Sequence, residues 1–249
     1  FQVAMARLGG QTVDLNPQVT QLGRGEPLED TARVLSRFCD ALAVRTYAQQ
    51  ELVDYAYWAS IPVINALTDL EHPCQALADF LTMQEAFGGL QGQTLAYVGD
   101  GNNVAHSLML CGALLGVNVH IGCPDGFEPL PGVLDQARAL AVAGAQIEVT
   151  SDPVAAVRGA QALYTDVWAS MGQEEEQAER EQAFKGFCLD EALLAEADPK
   201  AIVLHCLPAH RDEEISAGVM ESASSRIFDQ AENRLHAQQA LLAVLLGGL

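Results

Sequence analysis

The chain has 249 residues, enough for one large domain or two smaller ones with a sizeable core. Its net charge is −20, with 13 basic against 33 acidic residues, which excludes a basic face for a nucleic-acid backbone. No apolar run approaches the ~18 residues of a membrane span, and six scattered cysteines without a C-x-x-C pair exclude a cysteine-paired zinc or dithiol motif and read as reduced core residues of a cytoplasmic protein.

Short apolar runs alternate with amphipathic stretches, the pattern of a parallel α/β protein. In chain order, Phe1–Leu8 reads as a helix end closed by Gly9-Gly10, followed by a short strand at Thr12–Leu15, a helix over Leu28–Cys39 and a buried strand at Ala41–Val44. A helix over Gln50–Ala59, a strand at Pro62–Ile64 and a long helix over His72–Phe87 complete a first series. The second opens with a strand at Thr94–Val98, the turn Gly99-Asp100-Gly101-Asn102-Asn103 and a helix over Val104–Leu115. Further strands are predicted at Val117–Ile121, Gln146–Val149, Ala162–Thr165 and Ile202–Leu204, with helices at Gly132–Ala143, Asp152–Arg158, Glu174–Phe184 and Glu232–Leu246. Two doubly wound parallel-sheet lobes follow, with residues 1–88 and 89–230 as the domains and 231–249 as a helix returning to the first; Phe87–Gln93 is the hinge candidate.

Polar residues cluster where predicted strands end, which is where doubly wound sheets carry their sites. The turn at Gly99–Asn103 offers main-chain N–H groups at a helix start. It is not G-x-G-x-x-G and lacks the downstream acid of a dinucleotide site, and a tight turn that simply needs glycine explains it equally well. His72-Pro73-Cys74-Gln75 puts proline in a first helical turn, with His72 and Gln75 one turn apart and able to donate to a carbonyl oxygen that gains charge; a polar cap is the plainer reading. Asp166 follows a strand and suits a cationic amine, or is a solvated loop aspartate. Cys206, in His205-Cys206-Leu207-Pro208, faces the same end of its strand, or is a small buried hydrophobe. His205, Cys206 and His210 have no ligand ladder for a metal.

Taken together these segments resemble the aspartate and ornithine carbamoyltransferases. His72-Pro73-Cys74-Gln75 is similar to their carbamoyl-binding H-P-x-Q motif. Gly99–Asn103, Asp166 with Ser170-Met171-Gly172, and His205-Cys206-Leu207-Pro208 resemble the ornithine branch; the aspartate branch carries H-P-L-P in place of H-C-L-P and has no S-M-G loop. Glu232-Asn233-Arg234 is similar to the start of the family's final helix.

The resemblance implies two α/β lobes with the active site in the cleft between them, assembled as trimers or multiples of trimers. It implies carbamoyl transfer from carbamoyl phosphate to L-ornithine, giving citrulline and phosphate, without metal or cofactor. By the same resemblance Arg45, His72, Gln75, Cys206, Leu207 and Arg234 bind carbamoyl phosphate, and Asn103, Asp166, Ser170 and Met171 bind ornithine. His72, Gln75, Asp166, Cys206 and Arg234 form the catalytic set. The family's S-x-R-T phosphate loop precedes a helix that here starts at Phe1, so the first lobe is expected to be incomplete and the chain inactive without that loop. A different acceptor (putrescine, acetylornithine or aspartate), a non-catalytic regulatory homologue and a nucleotide-dependent oxidoreductase are the alternatives.

Overall fold

The computed structural model describes residues 1–16, 25–169 and 177–247, which divide into two compact units: Phe1–Cys74 with Arg234–Leu249, and Gln75–Asn233. Both are parallel α/β, as the alternating pattern predicts. The sequence places the domain boundary at 88/89; the division falls at 74/75, inside a helix rather than at the Gly-rich hinge.

The first unit carries helices α1 (Gln2–Arg7), α2 (Leu28–Leu35) and α3 (Gln49–Trp58) with strands β1 (Leu42–Arg45) and β2 (Val63–Leu67). The strands pair in parallel, Leu42 beside Val63 and Val44 beside Asn65. Ala4, Ile64, Cys74 and Leu242 form its core, with Phe1, Met5 and Leu235 packed around them. Leu235 and Leu242 lie on α11 (Ile227–Gly247), whose start is five residues earlier than its apolar spacing suggests. The strand predicted at Thr12–Leu15 does not form. Residues 11–16 are irregular and exposed, and β1 and β2 hydrogen-bond only to each other among the described residues. A period of two cannot make a strand without a neighbour to take its main-chain bonds.

The second unit begins in α4 (Pro73–Phe87). Five parallel strands, β3 (Thr94–Val98), β4 (Asn118–Gly122), β5 (Ile147–Thr150), β6 (Ala162–Thr165) and β7 (Ile202–His205), lie in the order β5-β4-β3-β6-β7. Of these, β3, β6 and β7 are buried on both faces, which is why they read as continuous apolar stretches. Between them run α5 (Asn103–Leu115), α6 (Pro131–Leu140), α7 (Pro153–Val157), α8 (Gln177–Ala183) and α9 (Glu191–Ala195), with α10 (Ala217–Met220) after β7. Asp152 caps α7 as expected, accepting from Val154 N–H and Ala155 N–H. The helices α9 and α10, five and four residues long, show no helical period, and α7, as short, is legible only through its Asp152 cap.

The strand order reverses between β3 and β6, so the loops leaving their carboxyl ends separate there and open a crevice. The turn after β3 is held tightly: a Cβ on Gly101 would stand 2.2 Å from the Pro129 main-chain nitrogen, so only glycine fits.

Candidate active site

The first unit gathers positive charge around a buried imidazole. Arg45 ends β1 and is exposed, His72 precedes α4 and is 7% exposed, and Arg234 lies on α11 half-buried. The guanidinium of Arg234 is steadied one turn along its own helix. With the Gln238 amide oxygen turned towards it, Nε donates at 2.9 Å and Nη2 at 3.1 Å. Burial, then the charges of Arg234 and Arg45, lower the His72 pKa from 6.5 to about 3. His72 is therefore neutral near pH 7 and meets a ligand as an uncharged N–H donor. Burial also raises the Cys74 thiol to about 11, and its Sγ donates to the Asn65 carbonyl at 3.2 Å; it is an inert core group.

The second unit sets acidic and neutral groups at the switch point. Asp166 follows β6 and is 6% exposed. Its Oδ1 accepts from Cys206 Sγ at 2.9 Å and from the Val167 N–H at 2.8 Å, while Oδ2 accepts from Asn102 Nδ2 at 3.1 Å. These donors are all neutral, so none of them compensates the charge of the carboxylate. Asn102 does two jobs. Its Oδ1 caps α5, accepting from Val104 and Ala105, which turns Nδ2 towards Asp166. Asn103 is the first residue of α5, so the turn delivers both asparagines to this strand end. Burial, with the Asp166 carboxylate, pushes the Cys206 thiol well above its ordinary value; it is a thiol, not a thiolate.

His205 supports the loop that carries Cys206 and Leu207. Its Nδ1 accepts from the Leu207 main-chain N–H at 2.8 Å, so Nε2 carries the proton and faces Glu214 Oε1 at 3.1 Å. Leu207 has φ +61°, an unusual setting for a branched side chain, and the imidazole contact fixes its main chain there. The Leu207–Pro208 peptide is cis.

Gln75, in the first turn of α4, is 1% exposed and donates from Nε2 to Asp79 Oδ1 at 2.8 Å. An ion pair missed by the sequence reading joins Arg180 of α8 to Asp100 after β3, Nη1 to Oδ2 at 2.7 Å, and the same nitrogen donates to the Trp168 carbonyl at 2.8 Å. Two groups among the described residues bring metal-ligating atoms together, Asp166 with His205 and Cys206, and His210 with Glu213 and Glu214; both are engaged in the hydrogen bonds and ion pairs of this loop. Ser170 and Met171, expected on ornithine, lie outside the described residues.

A two-lobed parallel α/β architecture, with basic groups on one unit and a carboxylate–thiol pair at the switch point of the other, defines an enzyme class that handles small polar ligands. Residues 1–85 match the family described as aspartate/ornithine carbamoyltransferase, carbamoyl-P binding domain, and residues 91–245 match its Asp/Orn binding domain. The chain is 84% identical over 249 residues to an ornithine carbamoyltransferase of Prochlorococcus marinus (strain MIT 9313), covering all of this chain and 78% of that one. Among solved structures, the ornithine carbamoyltransferase of Pyrococcus furiosus superposes with TM-score 0.95 at 51% identity, over 100% of this chain and 80% of that one. The one from Gloeobacter violaceus does so with TM-score 0.89 at 54% identity, over 98% and 80%. The chain belongs to the aspartate/ornithine carbamoyltransferase family.

Proposed function

We propose that the protein transfers the carbamoyl group of carbamoyl phosphate to a side-chain amine of L-ornithine, producing L-citrulline and phosphate. The observation that carries this reading is the Asp166 carboxylate, held among the described residues by neutral donors, Cys206, Asn102 and the Val167 N–H, at the switch point beside Asn103. A carboxylate with only neutral donors suits the cationic end of a diamino acid and repels a second carboxylate such as that of aspartate. Relatives at 84% and 63% identity are named ornithine carbamoyltransferase, which supports the same acceptor.

Arg45 and Arg234 bind the phosphate by charge-assisted hydrogen bonds. His72, kept neutral by burial and by those arginines, donates to the carbonyl oxygen. Gln75 has Nε2 on Asp79, so its Oε1 is the atom we assign to the carbamoyl NH2. The ornithine ammonium gives one proton to solvent, the freed lone pair attacks the carbonyl carbon, and the C–O bond to phosphate breaks from the tetrahedral intermediate as the carbonyl re-forms, the surplus N–H proton leaving with the phosphate. Preorganised donors at the oxyanion are each worth about 3 kcal/mol in such steps. We assign Cys206 and Leu207 to carbamoyl phosphate beside the reacting amine, Asn103 and Asp166 to ornithine, and Ser170 and Met171 to ornithine from the family motif alone.

Exposed Val34, Phe38, Val53 and Tyr57 on and just after α2 and on α3 support a homo-oligomer, read as a trimer. Six cysteines without a disulfide support a reducing, cytoplasmic setting. In an assay with carbamoyl phosphate, ornithine should give citrulline and aspartate should give no carbamoyl-aspartate. Equal turnover of the two would reject the acceptor assignment.

A further inference from the structure

Asp79 closes the stretch that begins at His72-Pro73-Cys74-Gln75, and its side chain is fully buried in the second unit. Its Oδ1 accepts from two carboxamides, Gln75 Nε2 at 2.8 Å and Gln230 Nε2 at 2.7 Å. Gln230 is 151 residues away, and its own Oε1 accepts from the main-chain N–H of His205 at 2.8 Å. All four groups are buried. The chain of bonds therefore runs from Gln75, through a carboxyl group and a second amide, to the residue that precedes Cys206.

An amide is symmetric in shape and asymmetric in chemistry: rotation by half a turn exchanges an acceptor for a donor at almost no steric cost. What fixes Gln75 must be a neighbour that can only accept where Nε2 lies, and Asp79 Oδ1, already receiving two N–H groups, is that neighbour. We infer that Asp79 is a positioning residue. It locks Gln75 with Nε2 inward and so presents Oε1 to a substrate N–H, and through Gln230 it ties that setting to the strand end carrying Cys206 and Leu207. This rests on the reading of Gln75 as a ligand of the carbamoyl group. A buried amide left free to turn would spend part of its time presenting N–H to N–H, losing one hydrogen bond and gaining a repulsion.

The test reverses the polarity of the pair with near-isosteric changes. Gln75→Glu faces Asp79 with a second acceptor and should lower kcat/KM for carbamoyl phosphate by ~100-fold or more, in line with loss of a buried bond plus the cost of leaving a charge unpaired. Asp79→Asn keeps an acceptor oxygen and should cost less than ~10-fold. When Gln75→Glu and Asp79→Asn are combined, the amide introduced at position 79 can donate to one oxygen of the carboxylate introduced at position 75 and leave the other as acceptor, while Gln230 turns to accept the second N–H of that amide and gives up its bond from the His205 N–H, so that recovery is partial. The double variant should recover at least ~10-fold in kcat/KM over Gln75→Glu alone, with the KM for ornithine nearly unmoved and the melting temperature raised as one of the two facing buried charges is removed. No recovery, or recovery confined to the melting temperature, overturns the positioning role. Gln75→Ala separates the two layers: unchanged kcat and carbamoyl-phosphate KM in that variant removes Gln75 from the site and the inference with it. A damaged Gln75→Ala without recovery in the double leaves the site reading intact and rejects Asp79 alone.

Discussion

The basic cluster of the first unit and the acidic cluster of the second reach the same chemical state by opposite means. His72 is stripped of its proton by burial next to Arg234 and Arg45, and Cys206 keeps its proton because of burial next to Asp166. Burial disfavours whichever form is charged, and the local field acts in the same direction each time: positive charge against imidazolium, negative charge against thiolate. Each site therefore offers a neutral donor. Neither group is a titrating acid or base near neutral pH. A Cys206 thiolate is therefore not available near neutral pH as a proton acceptor.

The largest expected effect falls on the framework of the acidic half. Arg180 and Asp100 are a buried pair, their side chains 8% and 10% exposed. Arg180→Met strands the Asp100 charge and should cost about 3–5 kcal/mol of stability. Adding Asp100→Leu should return much of it, because two apolar groups then replace two charges. A single variant that melts within a degree or two of the parent would mean that the switch point does not depend on this pair.

The basic half should reveal itself by acid sensitivity. An unfolded chain protonates His72 near its ordinary 6.5, whereas the folded site resists protonation down to about 3. With the folded value depressed, stability is full above about pH 6.5 and drains as pH falls towards 3, by at most about 1.4 kcal/mol per pH unit for this group. His72→Gln, neutral at every pH, should flatten that part of the stability curve measured by denaturant unfolding. If the parent and variant curves run parallel between pH 6 and 4, burial and the two arginines do not hold His72 neutral as described.

The smallest effect is expected at Cys206. Serine keeps an O–H to donate to Asp166, so Cys206→Ser should change stability by less than ~1 kcal/mol and leave the pH profile of kcat/KM between 6 and 8 in place. Cys206→Ala, which removes the donor from a buried carboxylate, should cost more. A pH limb that disappears in the serine variant would make Cys206 a titrating group and end the symmetry between the halves.

Much of this protein is legible from its residues because the information is local. Continuous apolar runs mark β3, β6 and β7, and the polar residues that immediately follow, Asn102-Asn103, Asp166 and Cys206, need only the rule that strand ends carry sites. His72 and Arg234 are legible through motifs, as is Asp152 as a cap. What the sequence does not disclose is which polar residues hold these in place. Arg180 meets Asp100 across 80 residues and Gln230 meets Asp79 across 151, and a hydrogen bond between distant segments leaves no period in either of them. The one available signal was a carboxylate set among Ala78, Phe80 and Met83, all buried, in the apolar face of α4, which demands a partner without saying where it is. The strand at Thr12–Leu15 fails for the converse reason: its alternation was present, but pairing belongs to the sheet and not to the segment. Local pattern thus determined the elements and the strand ends at which polar residues gather. Only the tertiary structure decided which protons those groups keep and which way Gln75 turns, because charge, burial and hydrogen-bond polarity are set by neighbours that folding alone brings together.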